Sequence, residues 1–109
     1  MTSISQVLQA ADARLTPETW TQHPSVCRRD KECPHIAIDS ASGVNVPVRR
    51  AALKLFAEVV SGEAELGLLW QWNDTPGRTL QDVHEAFAAA VAIAQQAEQV
   101  TREEEPCSV

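Results

Sequence analysis

No run of apolar residues in this 109-residue chain approaches the length needed to cross a bilayer, and the N-terminus lacks the charged-then-apolar pattern of a secretory signal. A cytoplasmic protein without a membrane partner is therefore expected. Cysteine is scarce: three residues, an odd count, fit reduced thiols better than a disulfide framework. Basic residues are also short, with 9 Lys and Arg against 15 Asp and Glu and a formal net charge of -6. Direct nucleic-acid binding needs a concentrated basic surface to displace counterions, so it is not expected; a protein partner with a basic surface is. No internal repeat is visible, which excludes a solenoid. The length suits a single domain, and the 44% hydrophobic content is ordinary for a globular chain and too high for disorder throughout.

What is present reads mainly as helix. Ile4, Val7, Leu8, Ala11 and Leu15 recur at helical spacing between Ser3 and Leu15, and Pro17 limits any extension. Residues 21–46 show no clear periodicity and contain a short apolar run, Ile36-Ala37-Ile38, followed by the turn-rich Asp39-Ser40-Ala41-Ser42-Gly43. They are expected to form a long irregular loop. From Val46 the helical pattern returns with Val48, Ala52, Leu55, Phe56, Val59 and Val60 on one face, capped by Asn45 and ended by Gly62. Glu63–Gln71 favours a shorter helix, capped by Ser61, over a strand. The strongest element carries Leu80, Val83, His84, Phe87, Val91 and Ala94 on one stripe through an Ala-rich stretch to about Thr101. The expected architecture is a compact, mainly α domain of about four helices over residues 1–102, with an acidic flexible tail over 103–109.

Between the last two helices lies Trp72-Asn73-Asp74-Thr75-Pro76-Gly77-Arg78-Thr79. Pro76 presets φ for the second position of a type II turn and Gly77 accepts the positive φ of the third. Thr79 and Asp82 have the spacing of a capping box, with Asp in place of Glu. Arg78, four residues after Asp74, is placed to brace the joint by an ion pair worth little if exposed. This string resembles the signature of an uncharacterised domain family encoded by bacteria and their viruses, matched at Trp72, Asn73, Asp74, Pro76, Gly77, Arg78 and Thr79. Upstream, Trp20, Gln22 and Asp30 resemble its Trp-x-Gln and Asp positions, and Ser40-Ala41-Ser42-Gly43 stands where a Cys-containing, Gly-ended turn is expected. The resemblance brings no activity with it.

Candidate chemistry is sparse. His23, Cys27, Cys33 and His35 are zinc-ligating types within one segment. Their spacing is nonstandard, however, and Pro34 between Cys33 and His35 opposes the sharp bend a shared ion would need. The ordinary reading is two unpaired thiols and two surface histidines, so no cofactor is expected. His84 reads as a core-facing histidine with one satisfied hydrogen bond and no partner acid beside it. Arg28-Arg29-Asp30-Lys31, which Arg49, Arg50 and Lys54 could extend, reads as a solvated basic island.

The function expected is that of a small acidic intracellular protein-binding module. One concrete form is a bacteriophage or mobile-element accessory protein that inhibits a host nucleic-acid-binding defence complex in the manner of an anti-CRISPR. There Glu85, Glu98, Glu103, Glu104 and Glu105 would compete with phosphates for a basic groove. The candidate binding residues are Trp72, Asn73, Asp74, Arg78, Glu98, Glu103 and Glu104. The alternatives are a small enzyme using Asp74, Arg78 and His84, or a zinc-stabilised structural domain. Chelation separates the last: the purified protein is expected to melt at the same temperature with and without a chelator, and a chelator-induced loss of stability with one bound zinc would instead establish the metal site.

Overall fold

The helix over the first fifteen residues forms because a capping box starts it and one apolar face closes on the rest of the chain. In the computed structural model, which describes residues 3–21 and 33–104, Ser3 Oγ accepts from the Gln6 amide at 3.2 Å while Gln6 Oε1 accepts from the Ser3 amide at 2.9 Å. This helix, α1 (Ile4–Arg14), buries Val7, Leu8 and Ala11, and Leu15 follows as a buried C-cap. Four more helices follow among the described residues: α2 (Pro34–Ser42), α3 (Val46–Ser61), α4 (Leu66–Asp74) and α5 (Leu80–Glu104). α1 packs on α2, α3 and α5, and α3 packs on all four others, so the core lies between α1, α3 and α5. Phe56 and Phe87 meet there at 4.4 Å between ring centroids, both fully buried. The mainly α expectation is borne out.

Three boundaries differ from the sequence expectation. Part of the expected loop is the helix α2. Its buried residues Pro34, Ala37, Ile38 and Ser42 are spaced by three, one and four, the helical period that a reading of Ile36-Ala37-Ile38 as a run conceals. Pro34 opens the helix, where its missing N–H costs nothing, and Ser42 turns its hydroxyl back to the Ile38 carbonyl at 2.7 Å. The expected loop thus contains the fifth helix.

The second difference is a shift of α4 by one turn. Gly62 ends α3 in the left-handed region at φ 85, as expected, but Ser61 donates its hydroxyl to the Ala57 carbonyl at 2.6 Å and does not cap α4. α4 begins after Glu65 and runs through Trp72, Asn73 and Asp74. These three residues form its last turn and not a loop. The third difference is at the end of α5, which includes Glu103 and Glu104 because Glu is a good helix former and no breaker comes before Pro106. Residues 105–109 of the expected tail lie outside the described residues.

Other local readings are borne out. Asn45 Oδ1 accepts from the Val48 amide at 3.2 Å, capping α3. α3 turns slightly further than its pattern predicts, burying Leu53 and Ala57 with Ala52 and Phe56 and leaving Val48, Leu55, Val59 and Val60 half-buried. The Arg78 amide reaches the Thr75 carbonyl at 3.0 Å and Gly77 has φ 87, closing the expected turn. Thr79 Oγ1 accepts from the Asp82 amide and Asp82 Oδ2 from the Thr79 amide, both at 3.1 Å, completing the capping box of α5.

A Cβ built on Gly77 would meet nothing within 4 Å, so only its positive φ penalises a side chain there. Gly77→Val is expected to cost about 1 to 2 kcal/mol. Thr79→Ala is expected to cost about 1 kcal/mol through the lost cap. Urea denaturation of both variants checks the pair, and an unchanged midpoint for Gly77→Val would show that the turn is not held in this conformation.

Candidate functional site

The residues of the Trp72–Thr79 string are brought together, chiefly with one another and with the segment after α1. Asn73 has no exposed surface. Its Oδ1 accepts from the Trp20 indole Nε1 at 2.9 Å and its Nδ2 donates to the Thr21 carbonyl at 3.0 Å. A buried amide needs both ends satisfied, and here one end is served by a side chain and the other by backbone, 53 and 52 residues away. The segment reaches Asn73 because Thr19 Oγ1 donates to the Arg14 carbonyl at 2.7 Å and accepts from the Thr16 amide at 2.8 Å, folding the chain sharply after α1.

Trp72 is half-buried. It meets Phe56 edge-on at 5.9 Å, and the Arg78 guanidinium lies 4.2 Å from its ring centroid. Arg78 Nε also donates to the Trp72 carbonyl at 3.0 Å, and Nη1 stands 3.9 Å from Asp82. The expected brace between Arg78 and Asp74 is thus replaced by a cation over a ring and a bond to the end of α4. The reason is geometric: with Asp74 inside α4, the turn carries Arg78 back over Trp72. Asp74 is partly buried, and its charge is a minor contributor to raising the Cys33 thiol.

Cys33 is fully buried at the N-cap of α2. Burial pushes its thiol above the ordinary value of 9.0, against the smaller opposing effect of nearby backbone amides. A thiol held protonated is a poor nucleophile and a poor metal ligand. His35 faces Asp39 at 3.6 Å, one turn along the same helix, and Asp39 also faces Arg49 at 3.7 Å. His23 and Cys27 lie outside the described residues, and among the described residues no group of three or more metal-ligating side chains gathers.

His84 departs from expectation. Its Nδ1 hydrogen-bonds the Asp12 carboxylate of α1, so a partner acid does stand beside it, and both side chains are about one-third exposed at the edge of the core. The residues are 72 positions apart. The available signal was that each flanks the apolar stripe of a long helix. Glu98, a candidate binding carboxylate, is likewise engaged: it accepts from Ser5 Oγ at 2.7 Å and from the Ser5 amide at 3.1 Å. α1 has no acidic residue in its own first turn, and Glu98 supplies the negative charge that its amide end favours. These two contacts run α1 and α5 antiparallel. Glu103 and Glu104 lie in the last turn of α5, with side chains outside the described set.

The three residues of the enzyme alternative therefore draw on different surroundings: Asp74 stands within range of Cys33, Arg78 lies on Trp72, and His84 is tied to Asp12. A family model described as a family of unknown function, DUF6197, matches residues 1–93. No curated protein and no solved structure matches the chain.

The Trp20–Asn73 bond is testable by a double-mutant cycle. Asn73→Ala removes the acceptor of the indole N–H and the donor to the Thr21 carbonyl and is expected to cost about 2 to 4 kcal/mol, while Trp20→Phe removes one donor to Asn73 Oδ1 at about 1 to 3 kcal/mol. In the Asn73→Ala background Trp20→Phe should cost measurably less. Strict additivity in denaturant unfolding would mean that the two side chains are not bonded in solution.

Proposed function

The chain belongs to the family of unknown function DUF6197, matched over residues 1–93, and from that premise we propose that it is a small protein-binding module acting by contact and not by chemistry. One observation carries this reading. The side chains of Asn73 and Arg78 in the Trp72–Thr79 string end in intramolecular contacts, whereas α5 carries mostly acidic charged residues, of which Glu85 is exposed. The charged residues of α5 are Asp82, Glu85, Glu98, Arg102, Glu103 and Glu104, five acidic against one basic. With a net charge of -6, such a surface steers a basic partner and repels nucleic acid. An accessory protein of a virus or mobile element, occupying the basic groove of a host defence complex, is the setting in which we place it. The resemblance of the Trp72–Thr79 string to bacterial and viral domains supports that setting.

Affinity capture of the tagged protein from a bacterial lysate, with mass spectrometry, identifies the partner. Glu98 is left untouched in the test because it holds α1. Charge reversal of Glu85, Glu103 and Glu104 to Lys is expected to slow association several-fold at low salt and to flatten its salt dependence, since steering acts on the on-rate. An unchanged on-rate at low ionic strength would remove the acidic face from the reading.

A further inference from the structure

α1 is tied to α5 at two places, and the two ties differ in chemistry. Near its start, Glu98 accepts from the Ser5 hydroxyl and the Ser5 amide, donors that do not change charge near neutrality. In its last turn Asp12 meets His84, and histidine is the side chain whose charge ordinarily changes between about pH 5 and 8. Only the second tie contains a group of that kind.

The second tie is also isolated. Among the described residues His84 and Asp12 bond to each other alone, each about one-third exposed. The charges on the surrounding helices are engaged elsewhere or face water: on α5 Asp82 stands 3.9 Å from Arg78 and Glu85 is exposed, and Arg14 of α1 is exposed. On α3, which packs against both helices, Arg50, Lys54 and Glu58 are exposed, and Asp39 of α2 lies between His35 and Arg49. Asp12 sits where the carbonyl end of α1 is already negative, so a cationic ring is the form that complements it best. A carboxylate only accepts, so Nδ1 donates in both charge states of the ring. What deprotonation removes is the ionic part of the contact.

We propose that Asp12–His84 is a proton-gated clasp, which holds the C-terminal end of α1 firmly on α5 when His84 is an imidazolium and loosens that end when the ring is neutral. The clasp is at full strength at the acid end of the histidine range and weakens as pH rises through it. The Ser5–Glu98 tie holds the other end of α1 throughout, so the loosening is local.

A double-mutant cycle of Asp12→Asn and His84→Gln, followed by urea unfolding at about pH 5.5 and about pH 8, measures the coupling of the two side chains in each charge state. Other groups that titrate in this interval cancel, because every corner of the cycle carries them. The coupling at the higher pH is expected to be about half that at the lower, the ratio of a neutral to a charge-assisted hydrogen bond. Equal coupling at both, a larger value at the higher pH, or no coupling at either would overturn the clasp. Hydrogen exchange on the wild type, corrected for the intrinsic pH dependence of amide chemistry, needs no variant: residues 11–14 are expected to lose protection relative to residues 6–8 at the higher pH. Parallel loss along the whole of α1 would overturn the local clasp in favour of a global effect. Persistence of the differential loss in Asp12→Asn would overturn it in favour of another titrating group.

Discussion

A buried side-chain amide governs the joint on which the molecule is organised. Asn73 is sealed from water, and Trp20 supplies a donor and Thr21 an acceptor that offset its burial. Meeting that demand brings the chain after α1 against the end of α4. With α4 fixed, its last turn presents Trp72 to Phe56, Phe56 packs on Phe87, and the turn through Gly77 returns the chain as α5. An apolar residue of the same size at position 73 would remove the demand and with it the reason for these segments to meet in one register.

The parts of this fold that depend on neighbours in sequence were legible, and those that depend on partners far along the chain were not. Asn45, Gly62, the turn at Gly77 and the Thr79–Asp82 box are local devices, each decided within four residues. α2 was obscured because three adjacent apolar residues look like a run whether or not two of them face the core. The shift of α4 has the same origin, since Ser61 is an acceptable cap on paper and is engaged by the preceding helix in space. Asp12–His84 and Ser5–Glu98 join residues on helices at opposite ends of the chain, and no spacing rule reaches that far. The family resemblance drew attention to the Trp72–Thr79 string and to Trp20, but not to the bond between Trp20 and Asn73.

Polar residues that draw the eye in a sequence divide here into two groups by what they touch. Asn73, Arg78 and Glu98 are occupied with holding the chain to itself, through a buried amide, a guanidinium on a ring and a carboxylate at a helix end. Glu85 is exposed and makes no such contact among the described residues. On α5 the less conspicuous residues, Ile93, Ala97 and Val100, face outward from a helix whose other side is fully used by the core. The same helix thus closes the fold with one stripe and leaves another exposed.

The Ser5–Glu98 clasp spans 93 residues, and this separation bears on how the chain matures. During synthesis at about 5 to 20 residues per second, Ser5 is made roughly 5 to 20 seconds before Glu98. Through that interval Val7, Leu8 and Ala11 have no α5 to cover them, and the amide end of α1 lacks its carboxylate. The contacts of α1 with α5 are therefore completed only after the intervening helices have been made.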